Sequence, residues 1–289
     1  MTARGHVPVL LREIAENLVD ADDRLLVDAT VGGAGHGYYL LEKYRGLRLV
    51  GLDADEEALA LASERLAPFA DRVLLRKGNF RDLGRILREA SVGEVDAVLF
   101  DLGISMHQMS GGRGFSFSDE AELDMRIDRE EALTAREVVN TYSCSALERI
   151  IRDYGEEGDA PRIARSIVEA RKKGRITGAR ALADIVARAK RGRGKIHPAT
   201  KTFQAIRIEV NRELENLGKG LQDATDAAAR QGRIGVITFH SLEDRLVKTF
   251  FRENPLLQPV TKKPIRPGRE EIMANRRARS AKLRIAEKL

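Results

Sequence analysis

Three apolar runs in the first part of the chain each end on an acid, and a glycine-rich turn follows the first of them. Residues 24–29 (RLLVDA) carry Asp28 and lead into Gly32-Gly33-Ala34-Gly35-His36-Gly37. Glycines let a backbone approach a ligand closely, and a helix opening just after the turn offers unpaired N–H groups. The strict dinucleotide spacing G-x-G-x-x-G fails, because the last position counted from Gly33 is Tyr38. The phosphate-loop spacing fails too, since no lysine follows Gly37. An acid followed by a looser glycine turn suits a loop that binds S-adenosylmethionine, a ligand without phosphates. An ordinary tight turn reads equally well from these residues alone.

Asp53 adds to the first reading. It ends the run 47–53 (LRLVGLD), 20 residues past Gly33. An acid at about that distance commonly accepts hydrogen bonds from ribose hydroxyls. The alternative is a helix-start acid beside Asp55 and Glu56. Phe80 follows the third apolar run, where it can stack on an adenine face or simply fill core. Asp101 closes the fourth run, 96–100 (DAVLF), and precedes Leu102-Gly103-Ile104-Ser105. Open α/β sheets bind ligands at the carboxyl ends of their strands, so these groups are expected to meet in one crevice.

Other chemistries find little support. His6, His36, His107, His197 and His240 show no metal-ligand spacing, and no metal site is expected. One cysteine, Cys144, rules out an internal disulfide and a cysteine-cluster zinc site. In His240-Ser241-Leu242-Glu243-Asp244 nothing resembles a nucleophile elbow, and Ser241 reads as a helix cap.

The elements that must hold these residues alternate. Strand signals at 24–29, 47–53, 72–75 and 96–100 are separated by helical ones, including 38–43 and 55–66. That order predicts a parallel α/β sheet. From 111 to 193 only helices and turns are evident, with helical segments at 134–140, 145–154, 162–172 and 179–190. One helix is expected over 200–217, from Phe203, Ile206, Val210, Leu214 and Leu217 at spacings of three and four. A buried strand follows at 233–239 and a helix at 241–251. The proline-rich, basic stretch 255–279 reads as an irregular surface arm. A helical domain inserted in an α/β domain accounts for this order, with bounds of 1–110, 111–199 and 200–289.

The 289 residues are 43% hydrophobic and 33% charged, which excludes global disorder. No stretch approaches the roughly 18 uncharged apolar residues of a membrane helix. Acids at Glu13 and Glu16 argue against a signal peptide, so a cytoplasmic location is expected. The net charge of +6 hides a split: residues 171–289 carry 29 Lys and Arg against 12 Asp and Glu, whereas residues 1–170 carry 21 against 32. The later part thus has the charge of a surface that meets a polyanion, or of a solubilising face. Arg188, Lys190, Arg191, Arg193 and Lys195, with Arg276, Arg277 and Arg279, are the candidate phosphate contacts.

Several stretches together carry a family resemblance: His6–Leu10 (HVPVL), Asp28–His36, Asp101–Ser105 (DLGIS), Arg113–Phe117 (RGFSF), Leu123–Arg126 (LDMR), Tyr154–Glu157 (YGEE), His197–Arg207 (HPATKTFQAIR), Phe239–Arg245 (FHSLEDR) and Arg277–Ser280 (RARS). In these the chain resembles, nearly end to end, the bacterial 16S ribosomal RNA cytosine-N4 methyltransferases of the MraW (RsmH) type. The resemblance implies a class I, Rossmann-like, S-adenosylmethionine-dependent methyltransferase domain interrupted by a helical domain. It implies methylation of the exocyclic N4 amine of a cytidine in the decoding region of 16S ribosomal RNA, within the small ribosomal subunit; a homodimer stays open. Its cofactor contacts fall on Ala34, Gly35, His36, Asp53, Phe80, Asp101 and Gln108. Ala34 stands where the family usually has glycine, and Met106-His107 replaces a Ser-Pro type pair before Gln108. Asp101 is also the candidate catalytic acceptor for the N4 amino group, a weak base if it keeps the reference pKa of about 3.9. A nicotinamide oxidoreductase is disfavoured by the failed glycine spacing.

Overall fold

Successive residues of the central strands fall into opposite hydrophobic clusters. Leu26, Leu49 and Leu99 pack on one side of the sheet, and Val27, Val50 and Val98 on the other. This is the two-residue period of a strand, and with both faces covered by helices it makes the near-continuous apolar runs of a parallel sheet. The computed structural model describes residues 8–104, 108–109, 111–117, 121–191 and 196–289. His6, Ser105, Met106, His107, Arg193 and Lys195, singled out above, lie outside the described residues.

Seven strands form one sheet: β1 (Leu25–Asp28), β2 (Arg48–Asp53), β3 (Val73–Lys77), β4 (Val95–Asp101), β5 (Ala228–Thr238), β6 (Leu257–Pro259) and β7 (Lys282–Lys288). Their order is β3-β2-β1-β4-β5-β7-β6. The first five are parallel, and β7 runs antiparallel between β5 and β6. Strand order reverses between β1 and β4, so the switch point where such sheets bind ligands lies between the ends carrying Asp28 and Asp101.

The chain divides into two compact units, Met1–Gly103 with Leu214–Leu289, and Ile104–Glu213. The second is wider than the 111–199 span read from the sequence. Its core contains Val138, Leu147, Ile150, Ile163, Ile167, Leu182, Val186, Phe203 and Ile206, so the helix Thr200–Asn211 belongs to it. Its helices carry apolar residues at helical spacing, as in Ala179, Leu182, Ala183 and Val186.

The helix expected over 200–217 is instead two, Thr200–Asn211 and Glu213–Ala227. Arg212 between them takes a left-handed conformation, φ 48°, which no helix interior tolerates. Arg207 grips Glu213 across the break through two hydrogen bonds of 2.7 and 2.8 Å. The apolar stripe ran through the break unbroken because Val210 serves the helical core and Leu217 the sheet core.

The stretch 255–279 is more ordered than an irregular arm. It contains β6, a helix at Arg269–Ala274 and most of a 3₁₀ turn at Arg276–Ser280, in which Ala278 is fully buried. After it β7 completes the sheet, pairing with β5 from Lys282 to Glu287. The cap of the helix Ser241–Glu253 is His240, not Ser241. The His240 ring accepts the Glu243 N–H, and the Glu243 carboxylate accepts the His240 N–H, a reciprocal capping box.

Candidate active site at the carboxyl edge of the sheet

The loop after β1 is held on both sides before any side chain of the crevice is considered. Ala29 N–H donates to the Leu99 carbonyl of β4, and Val31 N–H to the Leu52 carbonyl of β2. Gly32 has φ 50° and donates its N–H to Asp53 Oδ2 at 2.9 Å. Ala34 also sits in the left-handed region, φ 55°, fully buried, and caps the helix Gly35–Lys43. That backbone favours glycine: alanine there carries a cost of about 1 kcal/mol. A Cβ on Gly35 would lie 2.4 Å from Pro8 Cγ, so the N-terminal segment packs flush on the loop. Gly33 is exposed, and a Cβ there would meet nothing within 4 Å. The loop therefore leaves space beside Gly33, whose carbonyl accepts from Arg65 Nη1 at 3.2 Å.

Three carboxylates stand at this edge, each displaced by burial. Asp28 is buried, and desolvation pushes its pKa up to about 7 against the opposing pull of His36. Asp53 is pushed up to about 6, again by desolvation, although its Oδ1 accepts Asp55 N–H and its Oδ2 accepts Gly32 N–H. Asp101 is pushed up to about 7 by desolvation, opposed by the positive charge of Arg277 and reinforced by Glu243. Thr30 Oγ1 accepts the Asp101 backbone N–H at 2.7 Å and fixes the end of β4. Asp101 Oδ1 is buried and has no hydrogen-bond partner among the described residues. An orphaned buried carboxylate oxygen is costly, and a donor supplied by a ligand removes the cost.

His36 is buried, its Nε2 2.9 Å from the Val9 carbonyl and its Nδ1 3.6 Å from Asp101 Oδ2. Desolvation lowers its pKa. Phe80 begins a 3₁₀ turn after β3 and is half-buried, its ring edge-on to Phe100 at 5.6 Å. A Cβ on Gly220 would lie 2.8 Å from that ring, so the bare helix face at Gly220 makes room for Phe80. Ala34, Gly35, His36, Asp53, Phe80 and Asp101 all belong to the unit that holds the sheet. Gln108 belongs to the helical unit, where it is buried.

Asp28, the acid ahead of the glycine turn, is nearly inaccessible and electrostatically coupled to His36 and Asp101. One other residue of this edge escapes the sequence reading of the site. Arg277 was grouped with phosphate-binding arginines, but its charge acts on Asp101. Lys190 is corrected in the same way: its Nζ pairs with the buried Glu157 at 2.7 Å. The position of Arg277 within RARS, beside a core alanine, was the available signal.

A seven-stranded sheet in this order, with an antiparallel strand next to its edge and acids at the switch point, is the class I (Rossmann-like) methyltransferase fold. The chain belongs to the MraW methylase family, whose profile matches residues 3–289. It is 50% identical to the ribosomal RNA small subunit methyltransferase H of Persephonella marina, over 98% of this chain and 99% of that one. The protein of the same name from Carboxydothermus hydrogenoformans is 48% identical, over 99% of this chain and 98% of its own length. That of Thermotoga neapolitana is 46% identical, over 98% and 95%. Among the described residues no helix is long and apolar enough to cross a membrane.

Proposed function

We propose that this chain transfers a methyl group from S-adenosylmethionine to the exocyclic N4 amine of a cytidine in the decoding region of 16S ribosomal RNA. The small ribosomal subunit is its substrate particle and the cytoplasm its location. The observation that carries the reading is Asp101 Oδ1, a buried acceptor without a donor at the switch point of a methyltransferase sheet.

The residues present fit the cofactor. S-adenosylmethionine carries a sulfonium and an ammonium, and the edge offers three carboxylates whose ionised forms are only partly compensated for their burial. Gly33 leaves space for a close approach, with Ala34, Gly35 and His36 beside it. Asp53 spends one lone pair of each oxygen on the loop and keeps others for ribose hydroxyls. Phe80 is assigned to the adenine. When bound, the cofactor supplies an electrophilic methyl group.

Asp101 has the acceptor's role. The lone pair of a cytosine amino group is delocalised into the ring and attacks poorly, so the group must be aligned and its N–H accepted as positive charge grows on nitrogen. With its pKa near 7, Asp101 is a far better base than an aspartate at its reference value, and it can take the departing proton. The weak base expected from the sequence is thereby corrected, and burial is the cause. Thr30 fixes the Asp101 backbone, His36 Nδ1 lies 3.6 Å from its carboxyl group, and Arg277 keeps part of that group ionised at neutral pH. A target base inside folded RNA must be splayed from its stack to reach such a group.

Labelled cofactor incubated with isolated small subunits, followed by nucleoside mass spectrometry, tests the proposal. N4-methylated cytidine is expected. Label on another nucleoside would overturn the base assignment, and no label in a cofactor-binding protein would overturn the enzymatic reading.

A further inference from the structure

In the helical unit, Phe117 and His197 stack face to face, ring centroids 4.1 Å apart and planes within 4° of parallel. Phe203, buried in that unit's core, meets Phe117 edge-on at 6.1 Å. The stack is thus anchored from below, while His197 at its top is exposed and has exposed Ile196 beside it. Backbone geometry fixes the imidazole as well. Ala199 N–H donates to His197 Nδ1 at 3.3 Å, so the neutral ring carries its proton on Nε2.

A ring held flat and left open on one side buries little for the fold. The segment that leads to it is strongly basic: residues 171–201 contain eleven Lys and Arg and a single acid, Asp184, with Lys190 held by Glu157 and Lys201 by the Glu156 carbonyl. Flat exposed rings set among cations are how proteins hold unpaired bases, by stacking on the ring and neutralising the backbone alongside. We propose that the Phe117–His197 pair is a stacking platform for one unpaired nucleobase of the RNA substrate. The π face of His197 takes the base, and its Nε2–H is the donor to an acceptor on the same RNA. This rests on the RNA-directed reading above and adds to it a binding site for a nucleotide in the helical unit.

Two substitutions separate the ring from the turn it closes. His197→Asn keeps an acceptor for the Ala199 N–H but has no ring, whereas His197→Tyr keeps a flat ring and loses that acceptor. Binding of a single-stranded RNA oligonucleotide carrying 2-aminopurine, read by its fluorescence quenching, and of whole small subunits is measured for each. The expectation is that His197→Asn weakens both by roughly 5- to 100-fold and abolishes the quenching, while His197→Tyr stays within about threefold. The salt dependence of binding should be the same in all three proteins, because stacking releases no counterions. Unchanged binding and quenching in His197→Asn would overturn the platform. So would equal losses in both variants, which assign His197 to the turn alone. If the unmodified protein binds cofactor but no RNA at all, the RNA-directed reading falls, and the platform with it.

Discussion

His36 Nδ1 faces Asp101 Oδ2 at 3.6 Å, and its other nitrogen lies 2.9 Å from the Val9 carbonyl. A nitrogen against a carbonyl must carry the proton, so neutral His36 turns a lone pair toward Asp101. Burial raises the pKa of the acid to about 7 and lowers that of the imidazole. The carboxyl therefore holds its proton in acid, and gives it up near neutral pH.

The first prediction concerns that proton. Single-turnover methylation at saturating cofactor should rise with pH through about 7 in the unmodified protein, as Asp101 ionises. Asp101→Asn, a neutral acceptor, should keep measurable but slower activity with that pH step gone, and Asp101→Ala should lose much more. Equal collapse of both variants would demand an obligatory carboxylate. Equal retention would remove Asp101 from the chemistry.

Asp28 makes a stability prediction. Its folded pKa of about 7 lies above the value near 3.8 of an unstrained carboxyl, so the folded state binds the extra proton between those limits. Stability must then fall as pH rises from about 4 to 7 and stay low above. Asp28→Asn keeps an oxygen for the Thr30 N–H, which Asp28 Oδ1 accepts at 3.2 Å. The variant should exceed the unmodified protein by a few kcal/mol at pH 8, to order of magnitude, and by far less at pH 5. Denaturant midpoints at the two pH values check this, and a pH-independent difference would contradict it.

Asp53 is a tie as well as a ligand group, because it holds Gly32 and Asp55 by their N–H groups. Asp53→Ala should weaken S-adenosylmethionine binding by about 1.5–3 kcal/mol, the usual loss for hydrogen bonds to a charged group. Calorimetry on the folded variant decides, and unchanged affinity would take Asp53 out of the site.

Much of this edge was legible beforehand because Asp28, Asp53 and Asp101 each terminate an apolar run, and a parallel strand buried on both faces leaves that signature. What was not legible depended on contacts distant in sequence. The last strand, LRIAE within β7, gives no element of its own and takes its place only by pairing with β5, about 50 residues away in sequence. The break at Arg212 was masked by an apolar stripe that serves two cores in turn. The His240 cap had a local signal, Glu243 three positions on, but histidine is an uncommon cap and the adjacent serine drew the assignment. Ala34 shows the reverse case: its sequence departure from glycine acquires meaning only with the φ of 55°. Ala34→Gly should accordingly raise stability by roughly 0.5–1 kcal/mol, as seen in the denaturant midpoint, with no loss of cofactor affinity.

The last prediction separates three arginines that sequence alone could not. Arg276 and Arg279 are exposed, whereas Arg277 is half-buried and its charge reaches Asp101. If the exposed pair neutralises phosphates, replacing both with alanine should flatten the salt dependence of RNA binding, by roughly 0.7 of a log unit per log unit of salt for each lost contact on a single strand. Cofactor affinity and the pH step of methylation should be untouched. Arg277→Ala should do the opposite. With its cation gone, nothing opposes the burial of Asp101 as strongly, so the pH step should move upward while the salt slope stays the same. Arg277→Lys, which restores the charge, should bring the step back toward its original position. A flattened salt slope in Arg277→Ala with an unmoved pH step would return Arg277 to the RNA-binding surface and leave Asp101 without its cationic partner.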